Sequence, residues 1–245
     1  MLAENTHELE AATITRVTAM WAGLAGIDGF ARARPSHCVN AESQICPSTW
    51  SGVVAIDGAL VATAASERER PLLLRLLQEL STDDSWGPIC HKDSAVAEIL
   101  GPASLAYVDC RAFIANDAPP NVTIREPIND EVEVLARSVP FDDAEESGIV
   151  ACTTTLVCVN DGVVLAASGF REWPGDIVHM SVLVATSARG RGLGTFVASA
   201  ATRTALDAGM IPQWRARPPA SRAIAAKLGY AQLGQQVSVR FATTG

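Results

Sequence analysis

The chain has 245 residues, with 19 basic against 27 acidic side chains, a formal charge of −8, and 48% hydrophobic residues. This balance supplies a packed core and excludes a disordered or fibrous chain. Its field repels phosphate backbones and anionic surfaces, so neither nucleic acid nor a membrane is an expected partner.

The length suits two compact domains better than one. No run reaches the roughly 18–20 apolar residues of a membrane span, and the opening MLAENTHELE is acidic where a secretory signal would be basic and then apolar. A cytoplasmic protein, monomeric or homodimeric, is the expectation. The cysteines Cys38, Cys46, Cys90, Cys110, Cys152 and Cys158 are too sparse for a disulfide framework and read as reduced, mostly buried thiols. His37-Cys38, Cys46 and Cys90-His91 lack the spacing of a paired zinc site, so no metal is assigned.

In chain order, residues 8–24 read as helix and Arg32 to Trp50 as an aperiodic loop. Ser51 to Ala65 holds two β-prone runs meeting at Asp57-Gly58, a pair suited to a tight hairpin turn. Arg70 to Leu80 places Leu73, Leu76, Leu77 and Leu80 at helical spacing. Asp93 to Leu100 reads as a short helix stopped by Gly101-Pro102, and Ala103 to Val108 as a strand. The Pro, Asn and Asp of Asn116 to Asn121 have linker character, which divides the chain into domains 1–118 and 122–245.

Past the linker, Asp130 to Val139 is helical, the acidic Phe141 to Ser147 is a loop, and Thr153 to Gly169 is a second hairpin turning at Asn160-Asp161-Gly162. Its text echoes Val53 to Ser66, either as an internal duplication or because Asp-Gly hairpins look alike. Ile177 to Val184 is an almost unbroken apolar run, as in a strand buried on both faces. Leu193, Phe196, Val197, Ala200, Ala201, Thr204, Ala205 and Ala208 trace one helical stripe ended by Gly209. Ile211 to Ala216 follows as a strand, Ser221 caps a short helix stopped by Gly229, and Gln235 to Ala242 closes the chain as a strand.

Between the apolar strand and the striped helix lies Arg189-Gly190-Arg191-Gly192-Leu193-Gly194-Thr195. Glycines on alternate positions expose backbone N–H groups at a helix start flanked by arginines, which suits a phosphate group; a plain glycine-rich turn is the alternative. A nucleoside-triphosphate loop would need Gly-Lys-Ser/Thr, and a dinucleotide fold would need G-x-x-G spacing with parallel βαβ order. Neither fits, and ATP binding through these glycines ranks last.

These residues resemble the acetyl-CoA-binding core of the GCN5-related N-acetyltransferases, the GNAT superfamily. The pattern Arg-x-x-Gly-x-Gly is met by Arg189, Gly192 and Gly194, and Lys227-Leu-Gly-Tyr230 is similar to a second family segment. The resemblance covers roughly residues 125–242 and implies an α/β, mixed-sheet acyltransferase fold in the C-terminal half. The echoing hairpin implies a smaller, degenerate copy in the N-terminal half. It also implies transfer of an acetyl group from acetyl-CoA, as donor substrate, to a primary amine of a small molecule or peptide. Backbone groups of Val182, Leu183 and Val184 would meet the pantetheine arm, and Arg189, Gly190, Arg191, Gly192, Leu193, Gly194 and Thr195 the pyrophosphate. Ser221 would lie near the thiol or serve only as a helix cap.

The general acid and base are less marked. Ala225 stands where many members carry a tyrosine, which motivates the alternative of a non-catalytic CoA sensor or structural tandem protein. Tyr230 is a weak substitute and reads more readily as a packed aromatic with a satisfied hydroxyl. His179 interrupts the apolar strand and shares a face with Ser181, as a base or as a satisfied core histidine. Glu172 and Glu146, with its neighbour Glu145, are carboxylate candidates that also read as solvated charges. If such acids line the acceptor cleft, they favour a cationic amine.

Overall fold

The computed structural model describes residues 9–29, 35–80, 86 and 95–242. In chain order these form α1 (Ala11–Ala25), β1 (Ser36–Val39), β2 (Ser51–Ile56), β3 (Ala59–Ala64), α2 (Arg70–Leu80), β4 (Val96–Tyr107) and β5 (Thr123–Arg125). Next come α3 (Glu131–Arg137), α4 (Phe141–Ser147), β6 (Thr154–Asn160), β7 (Val163–Trp173) and β8 (Ile177–Val184). The chain ends with α5 (Leu193–Asp207), β9 (Ile211–Ala216), α6 (Pro219–Lys227) and β10 (Ala231–Phe241). The class is mixed α/β.

The chain separates into two compact units, and each is discontinuous. Of the described residues, one comprises those within 11–105 together with 232–242, and the other comprises 9–10 with 106–231. This differs from a division at the 116–121 linker. The last strand belongs to the unit built from the first part of the chain, and Ala106 onward belongs to the other.

In the first of these units the strand order is β1-β3-β2-β10-β4. The β2–β3 hairpin turns at Asp57 (φ 50°) and Gly58 (φ 76°), the paired positive angles of a tight two-residue turn. β10 runs antiparallel to β2 from Gly234↔Ile56 to Val239↔Ser51. The leucine stripe of α2, Leu73, Leu76, Leu77 and Leu80, packs with Val53, Ala62, Val237 and Val239.

In the other unit the order is β9-β8-β7-β6-β5. All neighbours are antiparallel except β8 and β9, which are parallel. Strand alternation gives this sheet two different faces. On one, α5 covers Cys158, Ala166, Val182 and Val184 through Leu193 and Val197. On the other, α3 packs Val132 and Leu135 with Val157, Val159, Ala167 and Leu183. His179 and Ser181, four and two residues before Leu183, share that second face.

Four readings change. Val96–Leu100 is the start of β4, not part of a helix over 93–100, because a short apolar run fits either period; residues 93 and 94 lie outside the described set. β4 passes through Gly101, whose φ of +123° and close approach to the Gln236 carbonyl, 2.8 Å from a built Cβ, only glycine tolerates. The acidic segment 141–147 is the helix α4, with Asp142 and Asp143 in its first turn, where the dipole favours them. It buries no residue, so it carries no apolar period to read. The segment 32–50 contains the strand β1.

Candidate active site

Past Val184 the chain turns through Thr186–Ala188 and Arg189 into a loop where Gly190 (φ +76°) and Gly192 (φ +79°) are left-handed. A Cβ at either would meet nothing within 4 Å, so glycine is required there for the backbone angle and not for space. Gly194 is the reverse case: a Cβ would lie 3.1 Å from Val184 Cγ2 and 3.2 Å from Ile224 Cδ1, so strand, helix start and α6 meet closely. The N-cap of α5 is Gly192, with no side-chain cap and no acidic residue in the first turn. The first-turn N–H groups, lacking intrahelical acceptors, are aimed at the loop with the positive end of the helix dipole behind them.

The loop opens on a cleft of ≈ 490 Å³. The β8–β9 ladder explains it. Pairing runs Ile177↔Ile211, Val178↔Pro212, His179↔Gln213 and then stops, so the strands diverge past His179 and expose the backbone edge of residues 180–184. The cleft is bounded by residues 179–184 of β8, 214–216 of β9, the loop, α4 and α6. Val182, Leu183, Val184, Arg189, Gly190, Gly192, Leu193, Gly194, Thr195 and Ser221 all line it; Arg191 is exposed and does not. Ser221 is not the helix cap: α6 starts at Pro219 with Pro218 as N-cap, and Ser221 Oγ accepts a hydrogen bond from Trp214 Nε1 at 3.0 Å.

His179, half-buried, also borders the cleft. Its Nδ1 lies 3.0 Å from Gln213 Oε1, and Gln213 Nε2 donates to the Tyr107 hydroxyl at 2.8 Å. In this arrangement Nδ1 carries the proton, and Nε2 is left with its lone pair. Trp173 stacks on the ring at 5.4 Å between centroids and 17° between planes. Burial, opposed in part by the Gln213 hydrogen bond and reinforced by Arg215 and Arg171, lowers the imidazole pKa to about 4. The ring is therefore neutral at neutral pH.

The other candidates separate clearly. Tyr230 lies away from the cleft: it is 6% exposed, sits edge-on to Trp214, and its hydroxyl pairs with Thr202 Oγ1 at 2.8 Å. Burial pushes that phenol far above its ordinary range. Ala225 packs in the same core. Glu172 is exposed on β7 opposite Val178, one residue out of register with His179, so it points to the other face. Glu146 does border the cleft, but both its oxygens are taken by Arg217, and Asp143 Oδ2 is taken by Arg189 at 2.7 Å. An acid-lined cleft is thus not what remains, since each of these carboxylates is matched by an arginine. The sequence reads the arginines of Trp214-Arg-Ala-Arg217 only as lying near the cleft and does not single out Gln213; the signal was the period-two spacing of Gln213 and Arg215 on the strand next to His179.

Burial also raises the pKa of Cys38, Cys46, Cys152 and Cys158, Cys46 to about 11, so none of these thiols is an activated nucleophile. No His, Cys, Asp and Glu cluster fit for a metal occurs among the described residues, and Cys90 and His91 lie outside them. No described helix is long and apolar enough to cross a membrane.

Residues 154–236, which hold the diverging strands, the glycine loop and α6, match the family model for the GNAT acetyltransferases. Over these residues the chain is similar to the GNAT acetyltransferases. A GCN5-related N-acetyltransferase from Kribbella flavida has 16% identity and a TM-score of 0.51, over 78% of this chain and 84% of its own. A GCN5-related N-acetyltransferase-like protein from Streptococcus suis has 15% identity and a TM-score of 0.50, over 94% and 99%. A GNAT-family acetyltransferase from Colwellia psychrerythraea has 11% identity and a TM-score of 0.50, over 96% and 74%. At these identities the likeness concerns the fold. No curated protein matches the chain significantly. Within the matched residues, sequence motif and open cleft coincide at the 189–195 loop.

Proposed function

We propose that the protein transfers an acetyl group from acetyl-CoA directly to a primary amine. The observation that carries this reading is the meeting of a lone-pair histidine, an opened β8–β9 ladder and an uncapped helix start in one cleft. The N–H groups of residues 190–195, with Arg189 beside them, would hold the pyrophosphate. The pantetheine arm would run along the exposed edge of residues 182–184, where a backbone amide can polarise the thioester carbonyl. The gap between the strands joins the α5 face of the sheet to the His179 face, so donor and acceptor can enter from opposite sides.

The amine nitrogen attacks the thioester carbon, a C–N bond forms, and the C–S bond breaks. The proton lost from nitrogen passes to His179 Nε2, directly or through water, and the thiolate leaves to be protonated as CoA thiol. An amine near pKa 10.4 is mostly ammonium at neutral pH, so the scarce free amine is the attacking form. Its proton becomes acidic only once the C–N bond has formed, and the weakly basic His179 would relay it to solvent. Holding both reactants in one cleft supplies much of the remaining acceleration. With Tyr230 and Ala225 both in the core, the departing thiolate would take its proton from solvent, with Ser221 among the hydroxyls that line the cleft.

The test is release of CoA thiol from acetyl-CoA, measured with and without a broad set of amines. Amine-dependent release with a matching N-acetyl product supports transfer. Tight CoA binding without turnover on any amine would favour the sensor reading instead.

A further inference from the structure

The charges on the His179 face have a pattern that transfer alone does not require. Arg171 on β7 stands directly across from His179, and Gln213 stands across from it on β9. Arg215, two residues beyond Gln213, shares their face and borders the cleft. Arg171 and Arg215 are close enough to repel each other and to act on the imidazole. Neither forms an ion pair with a carboxylate among the described residues, although Arg125, Arg189, Arg217 and Arg240 all do. Of the carboxylates bordering the cleft, Asp143 and Glu146 are already held by Arg189 and Arg217. Burial and Arg171 both hold the Arg215 pKa below the usual guanidinium range.

A half-buried guanidinium beside a second one, with no acidic partner, is a costly arrangement unless an anion completes it. Its planar fork matches the two oxygens of a carboxylate or a phosphate. A polyamine or aminoglycoside would instead bring its remaining ammonium groups against both arginines. We propose that the acceptor is an amine that also carries an oxyanion, seated on Arg215 with Arg171 behind it, so that its nitrogen faces His179 Nε2. This replaces the cationic acceptor expected from the acidic segment 141–147, and it rests on the acetyl-transfer reading of the same cleft.

Two measurements on the full chain separate the outcomes. In the first, acetyl-CoA is offered with pooled amino acids, pooled amino acid amides, aminoalkyl phosphonates, and a pool of polyamines and aminoglycosides, and products are identified by mass. Acetylated amino acids or phosphonates, favoured at least tenfold in kcat/KM over the matching neutral amides, support the proposal, and the pool that wins tells carboxylate from phosphate. Preference for the amides or the polycations overturns it while leaving acetyl transfer intact.

In the second, the same pools are titrated into CoA-loaded wild-type and variant protein and binding is read by calorimetry. Selective binding of the anionic amines, weakened ten- to a hundredfold by Arg215→Gln and partly restored by Arg215→Lys, supports the site even if no pool is turned over, an outcome that would defeat the transferase reading alone. Equal binding of anionic and neutral amines overturns the proposal. CoA affinity and melting temperature of Arg215→Gln guard against misfolding.

Discussion

At His179, the hydrogen bonds and the burial make distinct statements. The contact with Gln213 fixes which nitrogen is basic, and burial beside Arg171 and Arg215 keeps the ring neutral down to about pH 4. Replacing His179 with Asn should lower kcat by about 10²–10⁴ if it is the base. Because the imidazole is already neutral, kcat/KM should rise with pH following the amine's own deprotonation, without a break near 6.5. A limb centred at 6–7 that disappears in His179→Asn would contradict this assignment. The same shift has a stability consequence with a definite sign. Between about pH 6.5 and 4 the unfolded chain binds a proton on this residue that the folded protein refuses. Stability should therefore fall as pH drops through that window, and His179→Asn should flatten the fall in denaturant titrations.

Among the elements, Tyr230 ties the turn after α6 to Thr202 of α5. Tyr230→Phe leaves a buried Thr202 hydroxyl short of a partner and should cost about 1–3 kcal/mol in urea unfolding while changing kcat less than twofold. A large loss of kcat would return Tyr230 to the chemistry. The legibility of each element follows its burial. β8 is an apolar run with buried positions on both faces and α5 carries a helical stripe, and the text marks them at or close to their observed bounds. The glycine loop is legible because backbone angle, not side-chain chemistry, selects its residues. α4 is unread because it lies on the surface and buries nothing. The partnership of Asp143 with Arg189 and of Glu146 with Arg217 joins residues 46 and 71 apart, which no local pattern reports. Hence the carboxylates were legible as residues but not as already neutralised ones.

For the whole molecule, chain order and compact unit disagree. β10 pairs with β2, and Val237, Val239 and Phe241 are buried against the α2 core, so the C-terminal strand completes the unit begun near the N-terminus. In the other unit, Val108 N donates to the Pro212 carbonyl beside β9, so that unit uses chain from before the linker. Cutting at 116–121 and expressing residues 122–245 alone should give an insoluble fragment with an unpaired apolar strand, and co-expression with residues 1–118 should restore soluble protein. A stable, monomeric, CoA-binding fragment 122–245 would refute that account. The charge of −8 says nothing of the acceptor, whose proposed recognition depends on two arginines, Arg171 and Arg215, that form no carboxylate ion pair among the described residues.

Backbone amide chemical shifts recorded while CoA is titrated into the intact protein test the cofactor site most directly. The N–H signals of Gly190 to Thr195, with those of Leu183 and Val184, should move together and saturate with the ligand, and Gly192→Val, forced from its left-handed angle, should abolish the response. Saturable CoA binding that leaves those amides unmoved would contradict the account.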